Sequence, residues 1–186
     1  MPGGRGYPVG MDDLPLPAPR SLTVLLTPDP GGDVLARFIA GLALRGPLTV
    51  LDGGNCFPGY RLLQYLRLQV PDPGPAARRI VVRRAFTCHQ VLSLLEGTPS
   101  LPEPHILLDP LATFQDEQIP LAEAGRLWDG CLRQVERLQA LAPVLAALAP
   151  PSRPERADFL ERLLARADRL YAPALPDPHP LQPALL

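Results

Sequence analysis

The sequence of 186 residues contains eighteen arginines and no lysine, a substitution typical of high-GC codon bias. No apolar run approaches the roughly 18 residues that a membrane-spanning helix needs, and residues 1–20 lack the apolar segment of a secretory signal. The net charge of −1 argues against a broadly basic surface that coats nucleic acid. Three scattered cysteines, Cys56, Cys88 and Cys131, indicate reduced thiols rather than a disulfide framework. These absences predict a cytoplasmic globular protein.

The 26 prolines concentrate near the two ends and between the apolar segments, where they separate elements rather than interrupt them. Residues 1–20 are rich in glycine and proline and have no apolar periodicity, which predicts a flexible leader. Residues 21–172 carry the periodic apolar segments and are long enough for one domain with its own core. Residues 173–186 are predicted to form a proline-rich tail.

Short apolar runs alternate with amphipathic segments along this domain. Runs of four or five residues predict strands at 22–26, 48–51, 79–83 and 105–108. Helical periodicity predicts helices at 33–45, 58–69, 87–96, 120–141 and 153–169. Residues 144–148 fit either an extension of the fourth helix or a fifth strand, and the prolines on both sides favour the strand. The alternation predicts an α/β fold with a parallel sheet between two layers of helices.

Residues 27–34 lie between the first strand and the first helix, where a phosphate-binding loop would lie. Such a loop needs glycines that expose backbone N–H groups, a lysine for the phosphates and a hydroxyl for Mg²⁺. The spacing fits, but Thr27 occupies the first glycine position and Asp33 and Val34 replace the lysine and the hydroxyl residue. The glycines Gly31 and Gly32 are also consistent with an ordinary turn in which Asp33 caps the helix, and the residues favour that interpretation.

Three further groups of polar residues follow predicted strands. Asp52-Gly-Gly-Asn closes the second strand, and Asp109 closes the fourth, as a Mg²⁺-binding Walker B carboxylate does. An aspartate after a strand also caps loops, which is the favoured interpretation here. Cys88 and His89 could approach Cys56 and provide three metal ligands, but the spacing matches no known site, so we expect no metal.

As a series, these segments resemble the ATPase core of the RecA-like recombinases, in particular the archaeal and eukaryotic branch. VLDGGNCFPGYRLL matches the family's pattern after the second core strand at Asp52, Phe57 and Arg61, with Gly54 at the position of the catalytic glutamate. RRAFTCHQVLSLLE resembles the following strand, turn and helix, and HILLDPLATF resembles the Walker B strand with Asp109 in place. The resemblance covers residues 22–149 and implies a RecA-like, P-loop-type sheet.

The resemblance also implies which functional residues are missing. The phosphate-binding lysine, the metal-binding hydroxyl and the water-activating glutamate are replaced by Asp33, Val34 and Gly54. Without them we expect no ATP hydrolysis, no cofactor and no catalytic residue, because no visible group replaces the lost charges. Thr27, Gly31, Gly32, Asp52 and Asp109 complete the expected degenerate nucleotide site.

The resulting hypothesis is a pseudo-ATPase that binds another protein, such as a RecA-like paralogue, as an accessory factor in DNA recombination or repair. Arg78, Arg79, Arg83 and Arg84 are candidate contacts to that partner or to nucleic acid, although a solvated strand end is the favoured interpretation of these arginines. Two alternatives stay open. One is a nucleotide-binding protein or weak ATPase that uses backbone amides, and the other is a DNA-binding module.

Overall fold

The structure is a computed structural model that describes residues 18–172. The predicted tail at 173–186 and residues 1–17 of the predicted leader lie outside these described residues. Within residues 18–172, no helix combines the length and the apolar character that crossing a membrane requires.

Residues 18–172 form six strands and six α-helices, which alternate except where α3 follows α2. The strands are β1 (Leu22–Leu26), β2 (Leu48–Asp52), β3 (Ile80–Arg84), β4 (His105–Leu108), β5 (Val144–Leu148) and β6 (Arg169–Tyr171). The helices are α1 (Asp33–Arg45), α2 (Gly59–Gln69), α3 (Gly74–Ala77), α4 (Cys88–Glu96), α5 (Leu121–Gln139) and α6 (Ala157–Leu164), and 3-10 turns cover Ala112–Gln115 and Pro154–Arg156.

The strands form one sheet in the order β3-β2-β4-β5-β1-β6, and every neighbouring pair is parallel. Alternate strand residues point to opposite faces, so each face buries its own apolar cluster. Helices α1, α2 and α3 cover one cluster, and α4, α5 and α6 cover the other. The predicted three-layer α/β architecture with a parallel sheet is therefore confirmed. Residues 144–148 form the central strand β5, as the flanking prolines indicated.

The prediction of one continuous helix at residues 153–169 was wrong. The helix predicted at 153–169 is a 3-10 turn followed by α6, which ends at Leu164, and the chain then forms β6 beside β1. Asp168 directs this change, since its carboxylate accepts the N–H of Leu22 at 2.8 Å and its own N–H donates to the Leu22 carbonyl at 2.9 Å. Between α2 and β3 the chain forms the short helix α3, whose first turn tolerates proline.

His105 begins β4 and is a polar residue inside the core. Its side chain is 1% exposed, and neither ring nitrogen has a hydrogen-bond partner within the described residues. Burial lowers the pKa of His105. The nearby backbone carbonyls of Pro99 and Glu103 and the Glu103 carboxylate oppose this shift, and the positive charge of Arg137 adds to it. The neutral imidazole is therefore the form that the folded protein holds.

We expect acid to destabilise the fold through His105. The pKa is lower in the folded than in the unfolded chain, so the unfolded chain binds more protons below the ordinary histidine pKa of about 6.5. The free energy of unfolding of the native protein should fall, relative to that of His105→Leu, as the pH drops from 7 to 5. Urea unfolding at several pH values measures this difference.

His89→Gln is the matched control, because His89 is an exposed histidine on α4. It should keep the acid-dependent loss that His105→Leu removes. A difference between native protein and His105→Leu that is constant from pH 7 to 5 contradicts the assignment.

Candidate functional site

The residues matched to nucleotide-site positions meet at the carboxyl ends of β1, β2 and β4. Gly31 packs directly against the loop after β2, and a Cβ atom on it would lie only 2.1 Å from the Cys56 carbonyl oxygen. The N–H groups of Gly53 and Gly54 donate to the Leu108 carbonyl at 2.8 and 3.2 Å, which fixes the same loop to the end of β4. The three loops therefore form one continuous surface at this edge of the sheet.

The loop at residues 27–34 does not have the geometry of a phosphate cradle. Phosphate-binding nests use successive N–H groups that left-handed residues turn toward the anion, but none of these eight residues has a positive φ. The Gly32 N–H donates to the Asp29 carbonyl at 3.0 Å. The prediction that Asp33 caps the helix is wrong, because Gly32 is the N-cap and Asp33 is the first helical residue. At that position its negative carboxylate interacts favourably with the positive end of the helix dipole.

Arg61 is the arginine that faces this loop, and it is engaged by two aspartates. Its Nη1 lies 3.5 Å from the Asp29 carboxylate, and its Nε lies 3.6 Å from that of Asp33. The three side chains are between 47% and 65% exposed, so each pair contributes little to stability. Their effect is on the local charge, since the guanidinium is neutralised and one negative charge remains.

Asp52 is the best-buried charged residue of the site, with 0% exposure. Its carboxylate accepts the N–H groups of Cys56 and Phe57 at 2.9 and 3.1 Å, which folds the loop after β2 back onto the strand end. The Nε of Arg84 on β3 donates to the same carboxylate at 3.2 Å. Hydrogen bonds and a cation thus satisfy the charge that burial would otherwise disfavour.

Asp109 follows β4 in the left-handed conformation, with a φ of 42° that aspartate tolerates better than most residues. Burial raises the pKa of its carboxyl from 3.8 to about 6, and the negative charge of Asp52 adds to the rise. A Cβ atom on Gly54 would lie 2.6 Å from the Cβ of Asp109. The structure therefore has no room for a glutamate at residue 54 without movement of the backbone.

With this geometry, the described chain shows an acidic edge at which Arg61 and Arg84 each contact a carboxylate of the same chain. No known protein family and no curated protein matches the sequence. Whatever this surface does must therefore be inferred from its own residues.

The four candidate partner-binding arginines are not equivalent. Arg79 donates from Nη1 to the carbonyls of Ala43 and Leu44, both at 3.1 Å, near the end of α1, and Arg83 donates to the Gly97 carbonyl at 3.2 Å after α4. These two arginines therefore bind carbonyl groups at the carboxyl ends of α1 and α4. Arg84 reaches the site through Asp52, and Arg78 is exposed where α3 ends.

The structure does not bring Cys56, Cys88 and His89 together. Cys56 packs against the cluster under α1 and α2, whereas Cys88 belongs to the cluster on the opposite face of the sheet. His89 lies 3.6 Å from the Cys88 sulfur and 3.1 Å from the Glu123 carboxylate. Among residues 18–172, no group of three or more histidine, cysteine or acidic side chains is arranged to hold a metal ion.

Sequence reasoning missed two participants, Asp29 and the role of Arg61. Asp29 lies within residues 27–34, but the phosphate-loop pattern assigns no role to that position. Arg61 was predicted only as one of the residues that match the family's pattern after the second strand. The sequence did carry a signal for this pairing. Asp29 and Asp33 lie on either side of Gly31 and Gly32, and Arg61 lies near the start of the next predicted helix, where it can offset their charge.

We expect Asp109→Asn to stabilise the protein at neutral pH. The folded-state pKa of about 6 exceeds the ordinary 3.8, so the contribution of Asp109 to stability is full below about pH 4 and is lost as the pH rises through 6. Asparagine keeps the left-handed backbone and removes the charge. After a discount for partial exposure, unfolding should cost about 1–2 kcal/mol more in the variant at pH 7.5, with no gain at pH 4.

Chemical denaturation at the two pH values measures this gain. Glu161→Gln removes an exposed carboxylate from α6 and should change stability equally at both pH values. A variant Asp109→Asn that is less stable than the native protein at pH 7.5 contradicts the assignment.

Proposed function

We propose that this chain is a non-catalytic RecA-like protein, a pseudo-ATPase that binds another protein as an accessory factor in DNA recombination or repair in the cytoplasm. The resemblance of residues 22–149 to the recombinase core motivates the family and the pathway. An α/β fold alone does not specify a function. The proposal therefore rests on what the residues at the strand ends can and cannot do.

The observation that carries the proposal is the charge at the position of the lost phosphate loop. Asp29 and Asp33 flank Arg61, and the Nε of Arg84 contacts Asp52, so carboxylates of the same chain offset the charge of both arginines, and the surplus at this edge is negative. A nucleotide triphosphate needs unpaired cations and N–H groups that stabilise its charge. Here it would meet carboxylates at close range, and the repulsion opposes binding.

The contacts among the loops are consistent with a RecA-like arrangement of the strand ends whose surface residues have changed. Gly31 lies against Cys56, and Gly54 lies against Asp109, so the positions matched to the family's site converge on one edge. A surface that keeps this arrangement without the phosphate-binding groups is suited to contact with a macromolecule. Protein partners commonly bind surfaces that combine arginine with aromatic residues.

The first alternative, a nucleotide-binding protein or weak ATPase, is supported by the N-terminus of α1, which follows the loop at residues 27–34 and has no side-chain cap. The first N–H groups of a helix have no partner within the helix and favour an anion. We expect no rise in melting temperature with ATP or ADP at 1 mM, with or without Mg²⁺. A nucleotide with a dissociation constant of about 10 μM would stabilise the fold by about 2.7 kcal/mol, or about 5–10 °C. Differential scanning fluorimetry makes the measurement.

An intact RecA-like ATPase in the same buffer serves as the positive control. Asp33→Asn tests the cause, since it removes one repelling carboxylate and leaves the loop and Gly32 in place. Stabilisation of the native protein by micromolar nucleotide would overturn the pseudo-ATPase proposal.

The partner is tested with the native protein in its own cell. Chemical crosslinking followed by affinity purification should recover a RecA-like or repair protein, and the crosslinks should map to the edge formed by the carboxyl ends of β1, β2 and β4. Recovery of no such protein contradicts the accessory role. Salt-dependent binding of purified protein to a single-stranded oligonucleotide would favour the second alternative, a DNA-binding module.

A further inference from the structure

Two exposed aromatic residues lie close along the chain to the groups that bind Asp52. Tyr60 is 75% exposed and Phe86 is 64% exposed. Phe86 follows Arg84 by two residues, and Tyr60 follows Phe57, whose N–H donates to the same Asp52 oxygen that accepts the Arg84 Nε. We call Tyr60, Arg84 and Phe86 the Arg84 patch.

The guanidinium of Arg84 is held in one orientation and still has N–H groups that can bind a partner. Its Nε donates to the buried Asp52 at 3.2 Å, while the side chain stays 46% exposed. Its two terminal nitrogens have no hydrogen-bond partner among residues 18–172. These terminal N–H groups form the fork that pairs with a carboxylate, and Asp52 has already fixed the direction of the side chain. Binding therefore requires less loss of side-chain freedom than an unheld arginine would.

The two aromatic residues are also held by ordered backbone. The N–H of Phe86 donates to the Gln90 side chain at 2.8 Å, and the Thr87 hydroxyl caps α4 by accepting the N–H of Gln90 at 3.2 Å. Tyr60 lies in the first turn of α2. Arginine and tyrosine are the residue types that contribute most often to binding hot spots, and phenylalanine is also enriched at interfaces.

We propose that the Arg84 patch binds a protein segment in which one carboxylate side chain is flanked by apolar residues. The carboxylate pairs with the terminal nitrogens of Arg84, and the apolar neighbours pack on Tyr60 and Phe86. The inference deepens the proposed function and rests on it, since it names the chemistry of the partner. It predicts that the bound segment contacts the patch through one acidic residue and not through a run of acidic residues.

The charges around the patch select this partner over a nucleic acid. Asp29, Asp33 and Asp109 belong to the same edge of the sheet, and Arg61 offsets only part of their charge. A phosphate backbone carries a negative charge at every nucleotide and would place several of them against these carboxylates. One carboxylate that reaches Arg84 directly, with apolar groups on both sides, avoids that repulsion.

The test uses a random dodecapeptide library displayed on phage and selected on the full-length native protein. We expect enriched peptides to share one aspartate or glutamate beside aromatic or aliphatic residues. Synthetic copies, measured by fluorescence anisotropy, should lose affinity at least tenfold when that acid is changed to its amide. They should lose about as much on Phe86→Ala or Tyr60→Ala, since burial of an aromatic group contributes on this scale.

Arg84→Gln should abolish binding, but it also leaves the buried Asp52 without its cation and destabilises the fold. The two aromatic variants and the amide peptides keep the proposal testable whatever Arg84→Gln does, because none of them touches Asp52. Matched controls lie on α2, where Arg67→Gln and Leu68→Ala change an exposed arginine and an apolar side chain that is 78% exposed. Both should leave the affinity unchanged.

Several results overturn the proposal. The selection contradicts it if no peptide is enriched, or if the enriched peptides lack an acidic residue. The binding measurements contradict it if Phe86→Ala and Tyr60→Ala leave the affinity unchanged, or if single-stranded oligothymidylate displaces the peptide. Failure here is distinct from failure of the proposed function. Peptide binding that maps elsewhere removes the patch and leaves a protein-binding pseudo-ATPase, whereas nucleotide binding in the fluorimetry test removes the pseudo-ATPase and not the patch.

Discussion

The buried carboxylate of Asp52 is the group on which the whole candidate site depends. It accepts the N–H groups of Cys56 and Phe57, and the Nε of Arg84 donates to it. These bonds place the loop after β2 against Gly31 and direct Arg84 outward. The charge also acts at a distance, because it contributes to the raised pKa of Asp109. Loss of this one carboxylate would leave two backbone N–H groups and a guanidinium without their acceptor. The conformation of the loop and the orientation of Arg84 therefore depend on the same group.

The edge of the sheet combines features that suit protein contact and oppose nucleotide binding. Arg61 and Arg84 each contact a carboxylate of the same chain, and neighbouring loops cover the glycines. On our proposal, the exposed Tyr60 and Phe86 act together with the oriented Arg84. A parallel sheet gathers loops from distant parts of the chain at its carboxyl edge, which is where such folds place their ligands. On our proposal, a RecA-like core has kept that gathering of loops while the groups placed there have changed from phosphate binding to recognition of a partner.

Much of the fold could be predicted from short apolar runs and helical stripes, because both patterns report burial directly. Residues 144–148 were assigned to a strand from their flanking prolines, and that strand lies in the centre of the sheet. The strand β6 could not be predicted, since Arg169–Tyr171 is a short and largely exposed edge segment with no apolar alternation. Its position depends on the bonds between Asp168 and Leu22, which are 146 residues apart in sequence. The role of Asp33 was wrong for a related reason: the pattern suggested a cap, but the local turn makes Gly32 the cap.

The amino-acid sequence by itself determined the α/β class, the order of most elements and the identities of Asp33, Val34 and Gly54, because periodicity and residue type are local properties. Only the tertiary structure decided how these residues act. It paired Arg61 with Asp29 and Asp33, set Asp109 against Gly54 and turned Arg84 toward solvent from Asp52. The physical reason is that charge pairing and steric exclusion depend on distances between loops, and those distances follow from the order of the strands in the sheet.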